Sequence, residues 1–176
     1  WEAFDPNQLE ISALAVAELF RDTGLFDFVD IRKSSANGKT GAPAVIARRQ
    51  AKNGKPQILL YAHHDVQPPG DADAWQTNPF EPVVKNGRMY GRGAADDKAG
   101  IVAHLTAVQA IKQIAGNDFD LGITLFIEGE EEYGSPTFTN TLAAHRDVLE
   151  ADAIIVADSG NWTTDIPALT VSLRGN

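Results

Sequence analysis

The tripeptide His63-His64-Asp65 closes an apolar run, Ile58 to Ala62, and offers residue types suited to holding a metal ion. In extended backbone, residues i and i+2 face the same side. His63 and Asp65 then point together and His64 points elsewhere. An imidazole so placed ligates a metal through one ring nitrogen while the carboxylate holds the other, fixing tautomer and orientation. Taken alone, a His-x-Asp at a strand end is more often two surface histidines. Its weight comes from acids far downstream. Asp96 follows the glycine-rich Gly91-Arg92-Gly93-Ala94-Ala95 and precedes a helical pattern. Glu128, Glu130, Glu131 and Glu132 follow the apolar run Leu121 to Ile127, and Asp158 follows Ile154 to Ala157. Each has a plain explanation: a helix cap for Asp96, an exposed turn for the glutamates, an Asx turn for Asp158. Adjacent carboxylates repel, however, so the set calls for a cation or full solvation. Ligands of α/β proteins bind beyond the carboxyl ends of sheet strands. Three such ends bearing ligand-type residues point to a hydrolytic site for two metal ions.

The elements that must position these residues follow from periodicity. Leu9, Ala13, Val16, Ala17 and Phe20 have helical spacing, which predicts a helix over Pro6 to Arg21, with Gly24 at its stop. Strands are predicted over Phe26 to Ile31, Ala44 to Arg49, Gln57 to Ala62, Leu121 to Ile127, Ala153 to Ala157 and Ala168 to Leu173. The fifth is expected to be buried. Asn53-Gly54-Lys55 and Asn86-Gly87 are hairpin-type turns. Gln67 to Pro82 is a long ordered loop anchored by Trp75 and Phe80. Helices are predicted over Lys98 to Ala115, ended by Gly116-Asn117, and over Thr137 to Leu149. Strands alternating with helices give an α/β fold. His104 and His145 fall inside the helices and are assigned to packing. Ser135 and Ser159 lack the Gly-x-Ser-x-Gly elbow of a serine nucleophile. Gly91-Arg92-Gly93 is too short for a phosphate loop.

Bulk properties narrow the class. The 176 residues suit one domain, and 43% apolar with 22% charged residues is ordinary for a globular protein. A net charge of −9 argues against nucleic acid as partner. No apolar run approaches the ~20 residues of a membrane span, and no signal-peptide pattern opens the chain. Cysteine is absent, which rules out disulfides, thiolate ligands and a cysteine nucleophile. It fits a reducing compartment, and the cytoplasm is the expected location. The first residue is Trp1, so the numbering is expected to start inside a longer reading frame.

These motifs, in this order and spacing, resemble the M20 family of metallopeptidases, and its carnosine-dipeptidase-like branch most. The resemblance rests on His63-x-Asp65-Val66-Gln67-Pro68, Trp75 with Pro79-Phe80, Tyr90-Gly91-Arg92-Gly93, Asp96-Asp97-Lys98-Ala99-Gly100, Glu128-Gly129-Glu130-Glu131-Glu132 and Leu173-Arg174-Gly175. It implies a three-layer α/β sandwich with a mixed, mostly parallel sheet. His63 and Asp158 would hold one zinc, Asp96 would bridge to a second, and Glu132 would hold the second. Glu131 would be the general base and Asp65 would orient His63. A cis peptide between Asp96 and Asp97 is also implied. Gln67, where many relatives carry a second valine, and aspartate at 158 look dipeptidase-like; Ala62 departs from the usual glycine. The expected reaction is hydrolysis of dipeptides by metal-activated water, with Zn2+ as cofactor and Mn2+ or Co2+ as substitutes. Residues 1–176 would be the N-terminal part of the catalytic domain, with the lid domain and a last histidine ligand beyond them. On that reading the chain alone is inactive, and strand edges left open favour a homodimer. The alternatives are an amidohydrolase of the same family, such as a deacylase or desuccinylase, and a binding module without catalysis.

Overall fold

The computed structural model describes residues 5–172. The motif Leu173-Arg174-Gly175 lies outside them. Helix α1 (Pro6–Arg21) starts at Asp5, whose carboxylate accepts the Asn7 N–H at 2.9 Å, and Pro6 occupies the first turn, where its missing donor is not needed. Strand β1 (Phe28–Arg32) follows, then a small ribbon, β2 (Ser35–Ala36) with β3 (Lys39–Thr40), then β4 (Ala44–Arg49) and β5 (Gln57–His63). The loop after β5 ends in a hairpin, β6 (Val83–Lys85) with β7 (Arg88–Tyr90). Then come α2 (Lys98–Ala115), β8 (Gly122–Glu128), α3 (Phe138–Ala144), α4 (Arg146–Leu149) and β9 (Ala153–Val156).

Five strands form one mixed sheet in the order β1-β4-β8-β5-β9. β1 and β8 run antiparallel to β4, while β5 runs parallel to β8 and β9. All seven residues of β8 are buried, and they belong at the centre of the sheet. That placement splits an expected hairpin. Asn53 and Gly54 make the turn with φ of 51° and 70°, but β8 lies between the strands they connect. Alternation divides the core in two. On one face Val45, Ala47, Leu60, Ala62, Leu125 and Ile127 pack with Ala13, Val16, Ala17 and Phe20 of α1 and Ile101 and Val108 of α2. On the other, Ala44, Ile46, Leu59 and Phe126 pack with Leu149 and Phe138. The result is three layers, helices on both faces of the sheet.

Three expectations are corrected. The helix predicted over Thr137 to Leu149 breaks at His145 (φ −125°, ψ 24°), which turns α4 so that Leu149 enters the second core cluster. Arg48 then satisfies the freed C-terminal carbonyl of Val148. The strand β9 is exposed rather than buried, with Ile154, Ile155 and Val156 at 64, 50 and 55%. It is the edge of the sheet, paired through β5 on one side only. No strand forms over residues 168–172, and Leu173 lies outside the described residues. Of the two expected anchors of the Gln67 to Pro82 loop, Trp75 serves, its Nε1 donating to Pro69 O at 2.8 Å and its ring lying under the Arg92 guanidinium, whereas Phe80 is exposed. No helix among the described residues is long and apolar enough to cross a membrane.

α2 packs tightly against the sheet through Gly100 and His104. A Cβ at Gly100 would lie 2.0 Å from Ala157 O, so only glycine lets the helix start come this close to the end of β9. His104 is buried, and its Nε2–H donates to Tyr61 O at 2.9 Å. Burial lowers its pKa, against the pull of that hydrogen bond. The folded protein therefore binds fewer protons at His104 than the unfolded chain, whose imidazole titrates near ~6.5. This contribution is unchanged above that pH and becomes destabilising as pH falls through it. His104→Gln keeps a donor but does not titrate. Denaturant unfolding between pH 8 and 5 should show a shallower loss of stability below ~6.5 in the variant than in the wild type; parallel curves would show that His104 is not responsible.

Candidate metal centre

Parallel pairing of β5 with β8 and β9 brings three carboxyl ends to one edge of the sheet, with His63 in register with Glu128. His63, at the last position of β5, is fully buried. Its Nδ1–H faces both Asp65 O and Asp65 Oδ1 at 3.2 Å. Its Nε2 lies 3.0 Å from Asp96 Oδ1, 3.8 Å from Glu131 Oε2 and 4.0 Å from Asp158 Oδ2. Burial works against a charge on this ring, but the hydrogen bond to Asp65 and the charges of Asp65, Asp97 and Glu131 outweigh it, and the pKa rises to about 9. Both ring nitrogens face oxygen atoms, which fits a doubly protonated imidazole when no cation is bound.

Asp65 is buried and does more than orient His63. Its Oδ1 accepts the Glu131 N–H at 3.3 Å and its Oδ2 the Glu132 N–H at 3.0 Å. One carboxylate thus ties the end of β5 to the short turn after β8. Glu132 is held by Gln67, whose amide reaches its carboxylate at 2.8 Å. Burial raises the pKa of Glu131; His63 opposes this, while Asp158, Glu132 and Asp65 add to it. That direction moves a carboxylate toward the range of a general base working near neutrality.

The helix cap falls to Asp97, not Asp96. Asp97 Oδ1 accepts the Gly100 N–H at 3.2 Å and Oδ2 accepts the His63 N–H at 3.1 Å. Burial raises its pKa to about 6 against the lowering effect of those bonds and of the His63 charge. Asp96, its side chain 58% exposed, is left to face the site. The peptide bond between the two aspartates is cis. Lys98 Nζ reaches back to His64 O at 2.8 Å, and burial lowers its pKa despite Asp65 and Asp97. His64 points away as expected: its Nε2–H donates to Pro43 O at 2.8 Å, and burial lowers its pKa.

The acidic run after β8 separates into two pairs. Glu128 and Glu130 are buried and serve structure. Glu128 accepts from the Tyr61 hydroxyl and from Ser135 Oγ at 3.0 Å. Glu130 accepts from Ala42 N at 3.1 Å, Thr137 N at 2.6 Å and the Thr137 hydroxyl. Glu131 and Glu132 lie in a 3-10 turn (Glu131–Tyr133) whose amides rest on Asp65, and Glu131 Oε2 lies 3.8 Å from His63 Nε2. The sequence shows five adjacent positions but not this division, because the partners of Glu128 and Glu130 lie elsewhere in the chain.

Two groups of side chains bring ligand atoms within 4.8 Å of one another: His63, Asp96 and Glu132, and His63, Asp97 and Asp158. The expected residues therefore meet around one imidazole, with Asp97 added beside Asp158. Asp97 is thus both a member of the second group and the cap of α2. His104 and His145 join no such group among the described residues. One buried imidazole among carboxylates, without thiolate, is a donor set that suits a borderline divalent ion such as Zn2+. The raised pKa values of Asp97 and Glu131 fit as well, since both mark carboxylates that burial and like charge leave short of positive charge.

The model of Peptidase family M20/M25/M40 matches residues 59–171. A cysteinylglycine-S-conjugate dipeptidase of Corynebacterium striatum is 38% identical over 76% of this chain and 29% of its own length. A Cys-Gly metallodipeptidase of Schizosaccharomyces pombe is 33% identical over 97% of this chain and 37% of its own length. The solved structure of an M20 family metallo-carboxypeptidase from Sulfolobus solfataricus superposes with a TM-score of 0.73 at 29% identity, over 87% of this chain and 33% of that one. The chain thus spans about a third of the length of these relatives. The His63 and Asp65 pair, the Asp96-Asp97 turn, the Glu131-Glu132 turn and Asp158 all lie within the matched residues, and the chain belongs to peptidase family M20/M25/M40.

Proposed function

We propose that this chain supplies most of the metal site and the general base of a dipeptidase that cleaves the peptide bond of small dipeptides. The observation behind this reading is the meeting of Asp96, Glu131 and Asp158 within 4.0 Å of one imidazole nitrogen, His63 Nε2. The dipeptidase names of the two curated relatives favour that substrate class. In this reading His63 and Asp158 would hold one ion, Glu132 would hold the other, and Asp96 would serve both. Zinc bound there supplies Lewis acidity, acidifying a water and polarising the scissile carbonyl.

The protein residues have separable tasks. Glu131, raised toward neutrality, takes the proton from the attacking water and returns it to the leaving amine. Asp65 holds the His63 ring through Nδ1 and fixes Glu131 and Glu132 through their amides. Lys98 and Asp97 anchor the backbone on either side of His63, through His64 O and His63 N. Because the chain spans a third of its relatives' length, turnover is proposed for a protein containing this segment and not for the segment alone. The exposed apolar edge at Ile154, Ile155 and Val156 favours a homodimer for the isolated chain, and the absence of cysteine favours the cytoplasm.

Two outcomes test the reading. Zinc at a hundredfold excess over its Kd should stabilise the chain by about 2.7 kcal/mol, seen as a rise in Tm. His63→Ala should remove that rise; a Tm indifferent to zinc in the wild type would refute the site. In a protein carrying the segment, Glu131→Gln should lower kcat for dipeptides by about 10²–10⁴-fold while metal content stays unchanged. Undiminished turnover would remove Glu131 from the role of base.

A further inference from the structure

Glu132 is gripped by a single residue at three points. The Gln67 backbone N–H donates to Glu132 Oε1 at 3.2 Å, and Gln67 Nε2 donates to Glu132 Oε2 at 2.8 Å and to Glu132 O at 2.7 Å. The two hydrogens of one amide group thus meet two acceptors. This also fixes which way the amide faces, because its oxygen in that place would oppose two oxygens. Glu132 N–H is held from the other side by Asp65 Oδ2 at 3.0 Å. Both the backbone and the carboxylate of Glu132 are therefore set before any cation arrives. A carboxylate oxygen accepts at about two positions, so each keeps one direction open for an ion.

We propose that Gln67 is a positioning residue for Glu132. Its side-chain amide holds the carboxylate in the direction that ligates, and so sets the affinity for the ion that Glu132 and Asp96 would hold. The inference rests on the metallopeptidase reading above and deepens it. Gln67 acts through Glu132, the group it contacts, rather than on the substrate. A neutral donor is suited to the task. It orients the carboxylate without cancelling the charge that attracts the cation, which a lysine or arginine there would do. The bond to Glu132 O could by itself tie the loop after β5 to the turn after β8. The bond to Oε2 goes further, since it fixes a side chain whose orientation the backbone tie leaves free.

The test is calorimetric titration of the chain with zinc chloride, for the wild type, Gln67→Met, Gln67→Glu, Glu132→Gln and the Gln67→Met/Glu132→Gln double variant, with the Tm of each metal-free protein. Methionine keeps the length of the side chain and removes both donors. Glutamate puts a carboxylate against Oε2. The Glu132→Gln variant identifies the ion that depends on Glu132. Gln67→Met should weaken that ion by about 10–100-fold and Gln67→Glu by at least as much. The other ion should keep its wild-type affinity, and adding Gln67→Met to Glu132→Gln should change zinc binding no further. An affinity equal to wild type in Gln67→Met overturns the proposal. So does an equal loss of both ions accompanied by a lower metal-free Tm, which would make Gln67 a structural tie only. A wild-type chain that takes up no zinc overturns the metallopeptidase reading and this inference together, an outcome distinct from a binding wild type that Gln67→Met matches.

Discussion

Repulsion between carboxylates is the constraint this structure is built to withstand. Asp65, Asp96, Asp97, Glu131, Glu132 and Asp158 crowd around one buried imidazole. Two like charges 4 Å apart oppose each other by about 4 kcal/mol at the effective dielectric of a protein surface. Apart from the His63 imidazole, whose pKa rises to about 9, the chain holds them there with backbone amides and a neutral side-chain donor. Asp65 takes two amides, Asp97 takes two, and Glu132 takes an amide and the Gln67 side chain. Amide dipoles fix a carboxylate without neutralising it, so the negative field survives for a cation to answer. Lys98 is a nearby cation, and its ammonium group donates to a carbonyl, His64 O.

The sheet makes this crowding possible. Parallel pairing of β5 with β8 and β9 places the ends of three strands side by side, and antiparallel pairing would have sent one of them to the opposite edge. β8 is buried on both faces at every residue, so its position at the centre is strongly determined. A slip of one residue between β5 and β8 would turn His63 to the other face of the sheet. The two core clusters resist that slip, since it would exchange Leu60 and Ala62 with Leu59 and Tyr61 across the sheet. Packing on both faces thus sets the position of the imidazole.

Local features were the most legible part. The bounds of α1, β4 and α2 follow from spacing and from their stop signals, because capping and periodicity are properties of adjacent residues. The meeting of His63 with Glu131 and Asp158 follows from ligand-type residues at strand ends, and that with Asp96, which ends no strand, from the family resemblance. What was not legible depends on contacts across the chain. Nothing near Asn53-Gly54 shows that β8 will enter between the strands it joins. Nothing near Glu128 or Glu130 shows that the Tyr61 hydroxyl and the Ala42 amide will donate to them. The break at His145 follows from where Leu149 finds cover. The exposure of β9 follows from its place at the sheet edge, which the apolar sequence Ala153-Ile154-Ile155-Val156 does not reveal.

The division of labour between Asp96 and Asp97 shows why adjacent identical residues need not be equivalent. A helix N-terminus requires one acceptor for its free amides. Asp97 meets that need through Gly100 N and adds the His63 amide, which locks the helix start to the strand end that carries the imidazole. Asp96, one residue earlier, is released from capping and faces His63 Nε2 at 3.0 Å. Gly100 makes the arrangement possible, since a methyl group there would collide with Ala157 O, next to Asp158. The same close contact therefore fixes the separation between the Asp96-Asp97 turn and Asp158. An alanine at position 100 would push the helix start away from β9 and spread the carboxylates that the rest of the fold gathers.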